Sequence, residues 1–182
     1  MILPLVEKSL NEVSRVKREP KVFEIGAGNG DVIAYLARKY PRTGFVGVDL
    51  SVRNAESKHQ LPNLRFLKGY ALELLENGAI VGDILFSSST FSIFTPKEVV
   101  NYLVHIKKNG FTRIVISDPI TFGMRHTNDD SQESLNMDLY MWWHNYAGYL
   151  RKHGYEVRDF AIARFSYSWN PEARVILIRG VL

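Results

Sequence analysis

Three alternating glycines with an acidic residue downstream form the most informative pattern in the chain. Residues 22–31 read VFEIGAGNGD and place Gly26, Gly28 and Gly30 between a predicted strand and a predicted helix. Glycine adopts positive φ and lets a ligand approach the backbone, while free N–H groups at a helix start favour an anionic group. Asp49 ends the next predicted strand, where it can accept hydrogen bonds from both hydroxyls of a ribose. The pattern therefore predicts a nucleoside-containing cofactor.

The glycine spacing argues against a nicotinamide cofactor. That fingerprint needs Gly-x-Gly-x-x-Gly, with a third glycine that allows helix and strand to pack closely. The sixth position counted from Gly26 is Asp31. Counted from Gly28, it is Ile33. The pattern that is present is Glu-x-Gly-x-Gly-x-Gly over 24–30.

That pattern resembles the first motif of class I S-adenosylmethionine-dependent methyltransferases. Asp49 matches the acidic residue that the family carries on its second strand. Two predicted strands close the chain, 155–165 and 173–180, and the stretch between them is too short for a crossover helix. They are therefore expected to be antiparallel, like the reversed seventh strand of the family. The resemblance covers most of the chain and implies S-adenosylmethionine as the cofactor.

The resemblance implies roles for the residues that match the motif. The backbone at Gly26, Gly28 and Gly30 would hold the methionine part of the cofactor. Glu24 would bind its amino group or order the loop, and Asp49 would bind the ribose.

Recognition of the adenine is expected to depart from the family pattern. Leu50 stands where the family often places an apolar side chain against the adenine, but Gly69 is followed by Tyr70 instead of an acid. Tyr70 either contacts the adenine, or leaves its amino group to a backbone carbonyl, or is an ordinary partly buried aromatic residue. Ser87 begins a hydroxyl-rich run, 87–90, that either lines a cofactor or substrate pocket or serves as turn chemistry.

Candidate catalytic residues follow the fourth and fifth predicted strands. Methylases of exocyclic base amines carry Asn/Asp-Pro-Pro-Tyr/Phe after the fourth strand, and the absence of prolines from 87–91 argues against that reaction. Asp118 ends the fifth strand, and His126 lies in the polar segment 121–130, where ligand-contacting loops belong. Either could serve as a general base, although Asp118 could instead cap a turn and His126 could be a solvated loop residue. The carboxylates here are too few to predict a metal site.

The elements that must position these residues alternate between strand and helix. The expected fold is α/β: a single-domain, doubly wound, mostly parallel seven-stranded sheet with helices on both faces and an antiparallel C-terminal strand pair. The predicted strands are 21–26, 44–50, 64–69, 83–88, 113–119, 155–165 and 173–180, and the predicted helices are 5–18, 31–40, 52–59, 71–77, 95–108 and 131–153. The last helix is expected to pack an aromatic stripe on the sheet.

Length and composition bound the remaining expectations. The chain has 182 residues and no cysteine, which excludes disulfides, thiolate metal sites and a cysteine nucleophile. We expect one methyltransferase-like domain over 1–182, with a core over 21–182 and an N-terminal helical segment, 1–20, that could act as a lid. No signal peptide or membrane-spanning run is evident, which predicts a cytoplasmic protein.

The net charge of +4 is spread thinly along the chain. The densest basic stretch holds Arg15, Lys17, Arg18 and Lys21, and it is interpreted as a solvated helix face. The favoured function is methyl transfer from S-adenosylmethionine to an oxygen or nitrogen of a small molecule. Two alternatives stay open: an RNA methyltransferase, for which the basic flank argues, and a non-catalytic protein that retains the fold. Nucleic acid is thus not the favoured partner, no membrane is expected, and the oligomeric state is unassigned.

Overall fold

The computed structural model describes residues 2–120, 134–138, 141–164 and 174–182, the second of these ranges by its backbone only. The strands are β1 (Lys21–Ile25), β2 (Gly44–Asp49), β3 (Leu64–Lys68), β4 (Ile84–Ser88), β5 (Arg113–Ile120), β6 (Ser134–Asp138), β7 (Met141–His144), β8 (Glu156–Arg164) and β9 (Arg174–Val181). The helices are α1 (Leu3–Ser14), α2 (Asp31–Lys39), α3 (Arg53–Lys58), α4 (Ala71–Glu76), α5 (Pro96–Lys108) and α6 (Tyr146–Lys152).

A seven-stranded sheet with the strand order β3-β2-β1-β4-β5-β9-β8 organises the molecule. The first five strands in this order pair in parallel. β9 is antiparallel to both β5 and β8. The expected fold class and the antiparallel C-terminal pair are therefore confirmed. The strand order reverses between β1 and β4, and the crevice outside the carboxyl ends of strands at such a switch point is where α/β proteins bind ligands.

The inner strands of the sheet are buried on both faces, whereas the edge strand β8 is mostly exposed. Val22 and Phe86 pack on one face with α1, α2 and α3. Phe23 and Leu85 pack on the other face with α4, α5 and α6. None of the helices in the described ranges is long and apolar enough to cross a bilayer.

Helix α5 begins where the predicted helix 95–108 begins, and a capping box fixes its start. Thr95 precedes the helix with an extended backbone, and its hydroxyl accepts a hydrogen bond from the Glu98 amide at 3.3 Å. The Glu98 carboxylate in turn accepts from the Thr95 amide at 2.7 Å. This reciprocal capping box, with Pro96 at the first helical position, fixes the residue at which α5 begins after β4.

Helix α1 is a core element in this structure. Val6 and Leu10 are fully buried against the sheet. Glu12 accepts hydrogen bonds from Arg113 at 3.2 Å and from Arg179 at 2.8 Å, which attaches α1 to β5 and β9. Movement as a lid would expose the apolar side chains and break these ion pairs. The lid role stays a prediction, against which this packing argues.

The prediction of one long helix over 131–153 was wrong. The described part of that segment forms the antiparallel pair β6 and β7, followed by the short helix α6. Asn145 ends the strand and caps α6, since its side chain accepts a hydrogen bond from the Gly148 amide at 3.0 Å. Aromatic residues such as Trp143 suit a strand as well as a helix, so their helical spacing did not discriminate.

Candidate cofactor site

The loop after β1 is a tight glycine turn. Gly26, Gly28 and Gly30 all have positive φ, at 73°, 53° and 73°. The Gly26 amide donates to the carbonyl of Val48 on β2 at 2.9 Å, and the Gly30 amide donates to Ala27 at 2.8 Å. L-residues with side chains adopt these angles at a steric cost, so the loop needs glycine for its shape.

The three glycines differ in what surrounds them. A Cβ on Gly26 would collide with the hydroxyl of Thr90, and a Cβ on Gly30 would lie 2.5 Å from the Phe66 ring. A Cβ on Gly28 would meet nothing within 4 Å. Gly28 therefore presents bare backbone to open space, whereas packing requires glycine at Gly26 and Gly30.

Asp49, at the end of β2, holds this loop in place. Its Oδ2 accepts a hydrogen bond from the Gly28 amide at 2.8 Å, and its Oδ1 accepts from the Ser51 amide at 3.1 Å. The structure thus brings the predicted glycine loop and the predicted acid into direct contact. A carboxylate that already accepts two backbone N–H groups has remaining lone pairs for the hydroxyls of a ligand.

Glu24 lies in the sheet beneath the loop. It is 3% exposed, and its Oε2 has no hydrogen-bond partner among the described residues. Burial raises the pKa of Glu24 well above its usual range; a bond from the Ile33 amide opposes this, and the charge of Asp49 adds to it. A buried carboxyl with a free oxygen is a site that a cationic donor would satisfy.

A cavity of about 240 Å³ opens beside these residues at the switch point. Gly26 and Asp49 line one side, and Tyr70 lines another. Leu50 and Ile93 also line it, although they are 65% and 57% exposed. Two large, exposed apolar side chains at the cavity entrance form an apolar rim that suits a planar ring.

Tyr70 lines the cavity with its ring, while its hydroxyl is engaged elsewhere. The hydroxyl donates to the Glu98 carboxylate at 2.7 Å, and the ring packs edge-on against Phe94 with centroids 6.2 Å apart. Burial raises the pKa of Tyr70 to about 12, and the hydrogen bond to Glu98 adds to this. The ring face remains for contact with a ligand, so the adenine contact stays a prediction.

The hydroxyl run after β4 divides between core and cavity. Ser87 is fully buried and donates to the Ile25 carbonyl at 3.0 Å, so it links β4 to β1 and does not line the cavity. Ser89 and Thr90 do line it. Ser89 is the one non-glycine residue with positive φ in the described ranges, at 57°. Its strained backbone at the mouth of a cavity is typical of ligand sites, and no sequence signal identifies it.

Of the two candidate catalytic residues, the structure describes only Asp118. Asp118 is 1% exposed, accepts a hydrogen bond from the Tyr146 hydroxyl at 2.6 Å, and is not among the cavity-lining residues. Burial raises its pKa to about 7, against hydrogen bonds from Tyr146, Ser92 and Thr90 that lower it. His126 lies outside the described residues.

Sequence reasoning also missed part of the cavity wall. Ile93 and Phe94 line the cavity from the 3₁₀ turn and the residue after it, between β4 and α5. The Thr95 capping box marks where this connection ends, which is the only local signal for it. Within the described ranges, no cluster of three or more metal-binding side chains is present.

Solved structures identify the fold. A methyltransferase from Methanosarcina mazei, described as S-adenosylmethionine-dependent, superposes with a TM-score of 0.70 at 15% identity, covering 98% of this chain and 96% of that one. Magnesium protoporphyrin IX methyltransferase from Synechocystis PCC 6803, solved with bound S-adenosylhomocysteine, superposes with a TM-score of 0.71 at 16% identity, covering 99% and 81%. The chain has the fold of class I S-adenosylmethionine-dependent methyltransferases.

The relatives found by sequence have a more specific activity in their names, but they match only part of the chain. A tRNA (guanine-N(7)-)-methyltransferase from Buchnera aphidicola is 30% identical over 124 residues, which are 63% of this chain and 50% of that protein. A protein of the same name from Pediococcus pentosaceus is 33% identical over 67 residues, 33% of this chain and 31% of that protein. The aligned segments thus span half or less of these relatives. No family model matches the chain.

The residues present fit S-adenosylmethionine at three places. The unpartnered Oε2 of Glu24 would suit the cofactor's amino group. The open face of Gly28 admits a ligand to the backbone. The exposed pair Leu50 and Ile93 would suit the adenine. The structure itself contains none of these contacts, so the individual roles stay predictions.

Proposed function

We propose that this chain transfers the methyl group of S-adenosylmethionine to a nucleophilic acceptor. The observation that carries the proposal is the contact between the Gly28 amide and Asp49 at the switch point of the sheet. In this proposal, Glu24 binds the amino group of the methionine part, Asp49 binds the ribose hydroxyls, and Leu50 with Ile93 encloses the adenine. Tyr70 forms the wall behind that ring. Ser87 acts indirectly, by fixing the end of β4 against β1.

The protein's part in the reaction is mainly alignment. When bound, the cofactor supplies a methyl group activated by its sulfonium. The acceptor's lone pair forms the new bond to carbon as the carbon–sulfur bond breaks, and that electron pair stays on sulfur. The positive charge moves from sulfur to the acceptor. Holding the acceptor in line with the methyl group is therefore the main contribution, and the residues around the cavity would provide it.

A positioning role is proposed for Asp118. It lies under the turn that contains Thr90 and Ser92, and its bond to the Tyr146 hydroxyl ties that turn to α6. Its burial argues for holding the cavity wall rather than for touching an acceptor. His126 remains the proposed general base for an oxygen acceptor or a protonated amine.

Two classes of methyl acceptor have support. The absence of dense basic stretches in the sequence favours a small molecule with an oxygen or nitrogen nucleophile. The partial relatives favour RNA as a second candidate. Guanine N7, the atom that their name specifies, is a hydrogen-bond acceptor with a free lone pair and carries no proton to be removed. Such an acceptor would suit a site in which a general base is not evident among the described residues.

Calorimetric titration tests the cofactor assignment. Purified protein is titrated with S-adenosylmethionine, S-adenosylhomocysteine and NAD, and the Asp49→Ala variant is treated in the same way. We expect both sulfur nucleosides to bind the wild type and not the variant, and NAD to bind neither. Glu156→Gln, on β8 at the far end of the sheet, is the matched control and should bind like the wild type. Failure of the wild type to bind either sulfur nucleoside would contradict the proposal.

Methyl transfer from labelled cofactor then separates the acceptor classes. Incorporation of label into unfractionated tRNA would support an RNA acceptor. Label in acid-soluble metabolites alone would support a small molecule. Cofactor binding with no transfer to either would favour the non-catalytic alternative.

A further inference from the structure

A basic groove lies at the opposite end of the sheet from the cofactor site. Two adjoining cavities, of about 550 and 400 Å³, share Lys21, Gly44 and Asn63. They lie where β1, β2 and β3 begin. We call this surface the basal groove and define it by the residues that line the two cavities: Arg18–Lys21, Phe23, Pro41–Val46, Pro62–Arg65, Gly78, Ala79 and Val81.

The basal groove brings together cations that are scattered in the sequence. Arg18, Lys21, Arg42 and Arg65 line it, against the single carboxylate of Glu19. All four cationic side chains are exposed, and in the described part of the chain none of them has a hydrogen-bonding or ion-pairing partner. Clustered cations without acidic partners form the surface that phosphate groups neutralise.

The segments that carry these cations are held together by hydrogen bonds. The side-chain amide of Asn63 donates to the carbonyls of Ala37, Tyr40 and Thr43 at 2.9, 3.1 and 3.0 Å. The Gly44 amide donates to the Pro20 carbonyl at 2.9 Å. The loops that bear Arg18 and Arg42 are thereby fixed relative to β3, so a ligand would meet a preformed site.

Part of the groove is apolar. Leu64 and Pro62 line it from the β3 side, and Val81, which is 53% exposed, lines it from the loop before β4. An apolar wall next to several cations suits a ligand that carries both a flat ring and a phosphate. Single-stranded RNA presents this combination, because its unstacked bases pack against side chains while its backbone meets cations.

Strand β3 connects the groove to the cofactor site. It is the edge strand of the sheet, with Arg65 near its start and the exposed Lys68 at its end. Gly69, the next residue, lines the cavity at the switch point. At about 3.3 Å per residue, the strand spans roughly 15 Å, so one extended RNA segment could follow it from groove to cavity.

We propose that the basal groove binds the backbone and an unstacked base of a single-stranded RNA segment, whose acceptor nucleotide reaches the cavity along β3. This inference rests on the proposed methyl transfer and specifies RNA as its acceptor class. It does not depend on how the adenine or the amino group of the cofactor is held.

Fluorescence anisotropy with a labelled oligouridylate tests the groove. Binding is measured over a range of salt concentrations for the wild type and for the double variant Arg42→Gln/Arg65→Gln. Loss of two phosphate contacts should weaken binding about tenfold or more and reduce the slope of log K against log salt by about 1.4 on single strands. The matched control is Arg158→Gln/Arg164→Gln, which removes the same charge from exposed positions on β8, at the other edge of the sheet.

Three results would overturn the RNA site. They are no RNA binding by the wild type at low salt, equal losses in the two double variants, or equal competition by polyglutamate, which would indicate a general polyanion surface. S-adenosylhomocysteine binding is measured in parallel and should be the same in all variants. If RNA binds in the groove while no sulfur nucleoside binds, the proposed methyl transfer fails and the groove stands. If the nucleosides bind while RNA does not, the RNA site in the groove fails and the proposed cofactor site stands.

Discussion

The amide of Gly28 and the carboxylate of Asp49 are joined by a hydrogen bond of 2.8 Å across the carboxyl ends of β1 and β2. The same carboxylate accepts from the Ser51 amide, so one side chain sets the shape of both loops at the switch point. Asp49 thus has a structural role in the free protein in addition to the ribose contact proposed for it. Variants at this position must be interpreted with both roles in mind.

Replacement of Asp49 by Asn tests how much the charge of this side chain contributes to ligand binding. The amide group keeps one acceptor oxygen but loses the charge, so one of the two backbone N–H bonds is weakened. Charge-assisted hydrogen bonds are worth about 1.5–3 kcal/mol, and S-adenosylhomocysteine affinity should fall by about 10-fold or more. Calorimetry measures the affinity, and thermal unfolding shows whether the variant is folded and how stable it is. Unchanged affinity in a folded variant would show that the charge of Asp49 does not contribute to ligand binding.

Glu24→Gln is expected to stabilise the free protein and weaken cofactor binding. Burial raises the pKa of Glu24 far above its unfolded value, so as pH rises past about 4.5 the unfolded state ionises while the folded state holds its proton. Stability therefore decreases as pH rises through that window, and glutamine removes this effect. The melting temperature of the variant should exceed that of the wild type near neutral pH.

The affinity of Glu24→Gln for S-adenosylhomocysteine should decrease by about 10- to 100-fold, because a charge-assisted hydrogen bond to the ligand's amino group is lost. A variant that is more stable and yet binds poorly cannot owe its defect to misfolding. Normal affinity would show that the amino group is bound elsewhere. Glu24→Asp, which keeps the carboxyl group but shortens the side chain, provides a second comparison.

Local patterns predicted most of the fold and the centre of the site. The glycine loop, Asp49 and the helix that begins near residue 95 depend on contacts between residues close in sequence or on strand ends that must be adjacent. The parallel core follows from the alternation of strands and helices along the chain. These features could be predicted because each depends on few, local interactions.

Features that depend on distant contacts could not be predicted. The helical spacing of the aromatic residues around Trp143 fits a helix, yet pairing with β6 and the cap at Asn145 produce a strand followed by a short helix. Ser87 is indistinguishable from Ser89 in sequence, although only Ser89 lines the cavity. Likewise, Arg42 and Arg65 join the basic segment near Arg18 only in three dimensions.

The glycine loop offers a comparison between two alanine substitutions. Both Gly26 and Gly28 have positive φ, which costs an alanine about 1–2 kcal/mol. At Gly26 the new Cβ would also collide with Thr90, whereas at Gly28 it would point into open space. Gly26→Ala should therefore unfold at a clearly lower denaturant concentration than Gly28→Ala.

Cofactor binding should follow a different order. Gly28→Ala is expected to fold and yet lose most S-adenosylhomocysteine affinity, because the methyl group occupies space that a ligand would use. Urea unfolding and calorimetry on the two variants measure these effects. Full affinity in Gly28→Ala would place the ligand away from the loop.

Asp118 is expected to make stability depend on pH. Burial raises its pKa from 3.8 to about 7, so the folded protein holds a proton that the unfolded chain has released. Its contribution to stability decreases as pH rises from about 4 to about 7 and is level above that range. Asp118→Asn, which still accepts from the Tyr146 hydroxyl, should remove this slope from urea unfolding measured across that range. An identical slope in the variant would contradict the assignment.

Among the charged residues that the structure describes, Arg179 is expected to contribute most to stability. It is 2% exposed and donates to Glu12 on α1 at 2.8 Å and to Asp159 on β8 at 2.5 Å. Arg179→Met would remove two charge-assisted hydrogen bonds but leave Glu12 paired with Arg113 and Asp159 paired with Lys8. Because both carboxylates keep a cationic partner, the expected loss of stability is about 1.5–3 kcal/mol. Urea unfolding should show this loss, together with faster proteolysis within α1.

Arg158→Met is the matched control, because Arg158 pairs with Glu156 at 2.6 Å on the same part of the sheet but is 55% exposed. Exposed ion pairs contribute about 0–1 kcal/mol, so this variant should unfold nearly like the wild type. Since Arg179 contacts no part of the cofactor cavity, S-adenosylhomocysteine affinity of folded Arg179→Met should be unchanged. Equal stability losses in the two methionine variants would show that burial of the Arg179 cluster does not anchor α1.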